Sequence, residues 1–153
     1  MHKQRIYIDT SVIGGCFDEE FAEWSNKLFE EFIAGKKIAL ISKLTIDELQ
    51  NARLEVREKI TTIPKEFIEY LLISVEAVEL AESYLKSKII TKKSTDDALH
   101  IAIASISNAN VLVSWNFKHI VNLEKISKYN MINLLNDYKT IEIRTPREVL
   151  SNV

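Results

Sequence analysis

Three short apolar runs constrain this chain more than anything else in it: Ile6-Tyr7-Ile8, Ile38-Ala39-Leu40-Ile41 and Val111-Leu112-Val113. None alternates apolar with polar residues, as a strand with one wet face would, so each predicts a strand covered on both sides. Segments of helical period lie between them. Phe21, Trp24, Leu28, Phe29 and Phe32 recur at helical spacing over 21–35, with Gly35 as the closing cap. Residues 42–59 read as one helix carrying Leu44, Leu49, Ala52 and Val56 along one side. Pro64 opens another helical stretch through Phe67, Ile68, Leu71 and Leu72. Leu72-Ile73-Ser74-Val75 then fits either a third strand or more helix. Residues 76–88 form an amphipathic helix, and 98–107 are apolar nearly all round, as a helix buried on most sides is. Ile141-Glu142-Ile143 is the last strand and leads through Pro146 into a short helix. Strands alternating with helices predict an α/β fold of three layers, α/β/α, around a central, mostly parallel sheet of four to five strands.

The length of 153 residues suits one domain spanning 1–153, with no linker, repeat or low-complexity stretch. With 46% hydrophobic and 27% charged residues, and only 3 Gly and 2 Pro, the chain is neither disordered nor collagen-like. Its single cysteine, Cys16, has no disulfide partner within the chain and reads as a small buried hydrophobe in a reducing compartment. The basic start, Met1 to Arg5, is followed only by Ile6-Tyr7-Ile8 before Asp9, too short for the apolar core of a signal peptide. No apolar run is long enough to span a bilayer, so a cytoplasmic protein without membrane association is expected. Basic residues number 20 and acidic residues 22, a net charge of −2, which argues against nucleic-acid binding by bulk electrostatics.

Open parallel sheets bind ligands beyond the carboxyl ends of their strands. Asp9, Thr10 and Ser11 follow the first strand, Asp47 and Glu48 the second, and Ser114, Trp115 and Asn116 the fourth, while Asp96 and Asp97 open the buried helix. Each has a plain structural reading. Asp9 can close a turn, and Thr45 with Glu48 can form a capping box, as can Ser94 with Asp97. Four caps need not fall on one edge of one sheet, however, and clustered carboxylates either take up protons or bind a cation. Hard oxygen donors without clustered Cys or His select Mg²⁺ or Mn²⁺ over Zn²⁺, and such an ion acts on phosphoryl oxygens and the attacking water. Residues alone therefore point to metal-dependent phosphoryl chemistry, hydrolysis first among it. His100, one helical turn after Asp97, reads as a hydrogen-bonded core histidine or as a group facing that site.

Five stretches in order resemble PIN domains. Ile6-Tyr7-Ile8-Asp9-Thr10-Ser11-Val12-Ile13 is similar to their opening, and Ser42-Lys43-Leu44-Thr45-Ile46-Asp47-Glu48-Leu49 to their second signature. Asp97-Ala98-Leu99-His100-Ile101-Ala102 resembles the third, and Val111-Leu112-Val113-Ser114-Trp115-Asn116-Phe117-Lys118-His119 the fourth. Ile143-Arg144-Thr145-Pro146-Arg147-Glu148-Val149 is similar to the family's ending. The resemblance implies a Mg²⁺- or Mn²⁺-dependent endoribonuclease acting on single-stranded RNA, of the VapC type: a toxin held by a bound antitoxin protein, and a homodimer. Asp9, Glu48 and Asp97 then correspond to the acidic metal ligands, and Thr10 or Ser11 shapes the metal-binding turn. Many members carry a further acid in the fourth signature. Here Asn116 stands there, offering a neutral oxygen to the metal or its water.

Near that turn, Trp115 reads as a stacking surface for an unpaired base or as a cap on the core, and Lys118 and His119 as phosphate contacts or solvated surface. The amphipathic helices over 21–32 and 42–60 are candidate surfaces for an antitoxin or a second copy. Two other classes compete. One is a PIN-fold binding module that holds RNA or protein without turnover, motivated by Asn116. The other is a haloacid-dehalogenase-like phosphotransferase with Asp9 as nucleophile, which would need an acid where Ser11 stands.

Overall fold

β1 (Arg5–Ile8) lies at the middle of a five-stranded sheet with strand order β3-β2-β1-β4-β5. Its partners are β2 (Ile38–Ser42), β3 (Ile68–Leu71), β4 (Val111–Val113) and β5 (Glu142–Arg144), and every pairing is parallel. This is a computed structural model describing residues 2–151. Ile6, Tyr7 and Ile8 are all fully buried because the sheet is covered on both faces. Tyr7, Leu40 and Leu112 face one core; Ile6, Ile8, Ile41 and Val113 face the other.

The first core is closed by α5 (Val75–Lys86), α6 (Thr95–Ile106) and α7 (Leu123–Leu135), which contribute Tyr84, Ile101 and Tyr129. The second is closed by α1 (Thr10–Gly15), α2 (Ala22–Ile33) and α4 (Leu54–Glu58), with Ile13, Leu28, Phe29, Phe32 and Val56. α3 (Lys43–Leu49) sits between the two, sending Leu44 to one and Leu49 to the other. α8 (Pro146–Val149) closes the described chain with a capping box between Thr145 and Glu148. The three-layer α/β/α arrangement expected from the apolar runs is the one observed.

Three elements differ from expectation. Residues 42–59 do not form one helix: α3 stops at Leu49, Arg53 is extended, and α4 begins at Leu54. A straight helix over that range would run about 27 Å, past the core. The break instead lets Leu49, Val56, Ile60 and Ile63 enter the same cluster. The third strand is Ile68–Leu71, not 72–75, because Ser74 caps α5 by accepting from the Ala77 amide at 3.1 Å. Its sequence hid it: this edge strand exposes Tyr70 and pairs Glu69 with Arg5 at 3.0 Å, so it is not an apolar run. α7 was not read at all, since it buries only Tyr129 and Asn133 and leaves Leu123, Met131, Leu134 and Leu135 exposed.

The helices over 21–32 and 42–60 send most of their large hydrophobics into the two cores, while Leu54 is exposed. Other exposed ones cluster at Leu72, Val75 and Val78 and along α7. No helix among the described residues is long and apolar enough to cross a membrane.

Candidate active site

From β1 the chain builds β2 and β3 on one side, then crosses to β4 on the other. The crevice between the carboxyl ends of β1 and β4 is therefore a topological switch point, where open parallel sheets leave room for a ligand. Asp9 follows β1 and Ser114 follows β4, and the Ser114 hydroxyl donates to Asp9 Oδ2 across that crevice at 2.6 Å. Ser11 Oγ donates to Asp9 Oδ1 at 2.6 Å, and the Val12 amide reaches the same oxygen at 3.3 Å. Asp9 thus does cap α1, but with a carboxylate only 4% exposed. Burial pushes its proton affinity up, against the lowering effects of His100, Ser11, Ser114 and the Val12 amide.

Asp97 reaches the same edge because a helix that precedes a parallel strand runs antiparallel to it. The start of α6 therefore lies at the carboxyl end of β4. Asp97 is half-buried and neighbouring Asp96 exposed, which separates the two acids as the sequence reading did. Its carboxyl is also pushed up, by burial first and by Asp9, while His100, His119 and the Asn116 side chain act to lower it. Glu48 comes from the second turn of α3. No capping box forms there: Ser42 is the cap, accepting from the Thr45 amide at 3.2 Å. Glu48 Oε1 instead accepts from the Thr10 hydroxyl at 2.6 Å and lies 2.6 Å from His100 Nε2. Burial works to raise its pKa, but the hydrogen bonds from His100 and Thr10 outweigh it and hold the carboxyl below its ordinary value. Ser94 likewise makes no side-chain cap on α6.

The fourth signature is built differently from expectation. Asn116 Oδ1 accepts the backbone amides of Lys118 (3.1 Å) and His119 (2.9 Å), so the oxygen assigned to a metal or its water is committed to an Asx turn. Trp115 is a packing residue rather than a stacking surface. Its ring lies on Phe21 at 4.3 Å, its Nε1 donates to Ser25 at 2.8 Å, and Gly15 presses close beneath it. Phe117, 51% exposed, is the free aromatic of this turn. The His119 Nδ1 lies 3.1 Å from Lys125 Nζ. Burial, Lys125 and Lys118 hold this imidazole below its ordinary pKa, opposed by Asp97.

The donors facing the crevice are carboxylate oxygens. His100 has both ring nitrogens engaged, by Tyr7 at 2.7 Å and by Glu48, so its imidazole is not free to act as a ligand beside them. Such a set suits a hard cation and not zinc. Among the described residues no three His, Cys, Asp or Glu side chains are drawn into a ready-made cage. An ion that keeps much of its water and takes one or two carboxylates fits an open set of this kind. Ser114 stands past the fourth strand in the sequence but carries no role there. His100, expected as a core histidine or a group facing the site, is both; nothing in the sequence names Glu48 as its partner, because 52 residues separate them.

A family model for the PIN domain matches residues 6–119. Among solved structures, VapBC2 from Rickettsia felis, crystallised bound to a DNA fragment from its promoter, is similar with a TM-score of 0.57 at 17% identity, over 93% of this chain and 98% of that one. VapC20 from Mycobacterium tuberculosis, a sarcin–ricin loop cleaving toxin, has a TM-score of 0.52 at 14% identity, over 74% of this chain and 92% of that one. At these identities the likeness is one of fold. No curated protein sequence matches the chain.

Proposed function

This chain belongs to the PIN domain family, and on that premise we propose that it is a Mg²⁺- or Mn²⁺-dependent endoribonuclease cleaving single-stranded RNA, acting as the toxin of a type II toxin–antitoxin pair. The observation that carries the reading is the placement of two carboxyls at one edge of the sheet, Asp9 just after β1 and Asp97 at the start of α6. Both have raised proton affinity, and the charge of Asp9 adds to that of Asp97. A divalent cation relieves this strain at neutral pH, where protons do not. Asp9, Glu48 and Asp97 would hold it. When bound, the ion neutralises phosphoryl oxygens and acidifies an attacking water.

The chain's own residues supply the rest. Ser11 and Ser114 orient Asp9, and Thr10 orients Glu48. His119 stands beside Asp97, and Lys118 and Lys125 next to it supply positive charge suited to an RNA phosphate. The partners under this reading are an antitoxin protein and a second copy of the chain, for which the exposed apolar residues near Leu72 and on α7 offer contact.

The test is cleavage of a defined set of single-stranded RNAs, with matching DNA strands, by the purified chain and its Asp9→Asn variant. Expected is RNA cleavage that needs Mg²⁺ or Mn²⁺, stops with chelator and is lost in Asp9→Asn. Equal cleavage by both proteins, or cleavage indifferent to chelator, refutes the assignment. A second reading, a binding module without turnover, is favoured by the missing fourth acid and the commitment of Asn116 Oδ1 to its turn. RNA retained but uncut at saturating Mn²⁺ would establish it.

A further inference from the structure

Glu48 is one end of a chain of side-chain hydrogen bonds that begins on its own helix and passes through the core. The Thr45 amide donates to Ser42 Oγ at 3.2 Å, Ser42 Oγ lies 2.7 Å from Tyr7 Oη, and Tyr7 Oη lies 2.7 Å from His100 Nδ1. His100 Nε2 then meets Glu48 Oε1 at 2.6 Å. Ser42 and Tyr7 are fully buried and His100 is 2% exposed, so no water is at hand to complete their bonding.

The directions follow from counting donors. Glu48 Oε1, a carboxylate oxygen, can only accept, so His100 Nε2 carries the hydrogen between them; with Nδ1 then the acceptor for Tyr7, the Ser42 hydroxyl at 2.7 Å is the donor to Tyr7 Oη. A tyrosine keeps its proton at neutral pH, and the Tyr7 O–H points at His100 Nδ1. The neutral imidazole thus has its one hydrogen on Nε2. The buried Thr45 hydroxyl then donates to Ser42 Oγ at 3.3 Å, and the bonds polarise one another in one direction.

We propose that His100 is a positioning residue: held by Tyr7 in its Nε2–H form, it works with Thr10 to fix Glu48 Oε1 and turn Oε2 toward the metal site. This rests on Glu48 being a metal ligand. The geometry supports it in that Thr10 Oγ1 and His100 Nε2 converge on the same oxygen, at 2.6 Å each, and no side-chain donor engages Oε2. The bonding also shows why His100, though it sits among the acids, is not itself a ligand: its Nε2 carries a hydrogen and its Nδ1 is taken. A carboxylate anchored through one oxygen loses less freedom when the other binds an ion.

The test is Mn²⁺ affinity, measured by electron paramagnetic resonance without RNA, for wild type, His100→Leu, His100→Gln, Tyr7→Phe, Glu48→Gln and Asp9→Asn. Thermal unfolding in chelator runs in parallel to identify variants that fail to fold. Removing an outer hydrogen-bond partner costs roughly 10–100-fold in metal affinity, and that loss is expected for His100→Leu. His100→Gln, whose amide can still donate to Glu48, recovers most of it. Tyr7→Phe keeps the ring but frees Nδ1, and nitrogen NMR of its His100 shows the single Nε2–H form giving way to a mixture. If His100→Leu, or Tyr7→Phe where the leucine variant does not fold, binds Mn²⁺ no differently from wild type, while Asp9→Asn and Glu48→Gln bind weakly, the positioning role is overturned and the site stands. If neither Asp9→Asn nor Glu48→Gln alters Mn²⁺ binding, the site reading itself fails and the role goes with it.

Discussion

Replacing Ser114 by alanine removes a buried side chain that ties Asp9, at the end of β1, to the end of β4. Its hydroxyl donates to Asp9 Oδ2 at 2.6 Å and accepts the Asn116 amide at 2.9 Å, in a residue with no exposed surface. A hydrogen bond to a charged group contributes about 1.5–3 kcal/mol. The orphaned Asn116 amide adds about 1 kcal/mol, the low end of the range for an unmet donor, since that residue is half-buried and water can reach it. The loss of one oxygen leaves too small a void to matter. We therefore expect Ser114→Ala to cost about 2–4 kcal/mol, or roughly 5–15 °C in Tm for a chain of this length. Urea unfolding at pH 7 in chelator measures it. The same change made in an Asp9→Asn background should cost about 1–2 kcal/mol less, because only a neutral bond is then lost. Equal costs in the two backgrounds would refute the idea that Ser114 serves an ionised Asp9.

Two further expectations concern stability. Glu48 has a lowered folded pKa, so its contribution is full above the ordinary glutamate value of about 4.3 and fades as pH falls through the folded value. Asp9 and Asp97 are raised, so they act oppositely: stability is lost as pH climbs above about 3.9 toward their folded values. Urea titrations in chelator should show the advantage of wild type over Glu48→Gln shrinking below pH ~4, and Asp9→Asn gaining on wild type as pH rises. Opposite slopes would contradict both assignments. Gly15→Ala would place a Cβ 2.7 Å from Ser25 Oγ and 2.8 Å from Trp115 Nε1, breaking the bond between them. A cost of about 1–3 kcal/mol is expected, with a blue-shifted or altered Trp115 fluorescence; an unperturbed spectrum and melt would show that Trp115 is not clamped there.

The role of divalent metal divides these experiments cleanly. Bound only to the folded chain, Mn²⁺ at 100 times its Kd should add about 2.7 kcal/mol of stability. That gain belongs to wild type and is absent from Asp9→Asn under the proposed function.

Much of the architecture was legible in the sequence because its causes are local. Ile6-Tyr7-Ile8 and Val111-Leu112-Val113 are apolar on both sides, which only a sheet covered on both faces can use. The acids Asp9, Glu48 and Asp97 could be picked out because strand ends and helix starts are readable from neighbours in sequence. What was missed had causes at a distance. β3 looked polar because Glu69 answers Arg5, 64 residues earlier. α7 looked patternless because it buries little of itself. Asn116 looked like an oxygen for the metal because its use of that oxygen in a turn depends on how the chain bends after it.

The sequence by itself, then, determined the layers, the parallel strands and the candidate acids, since period and adjacency are properties of a chain before it folds. Only the tertiary structure decided that the strand order places the switch point between β1 and β4, that Ser114 spans it, and that Tyr7 and His100 reach Glu48 through the core. The physical reason is burial. Inside a dry core each hydroxyl, imidazole and carboxylate must find a partner, and that partner is chosen by what the fold brings near, not by what lies next in the chain.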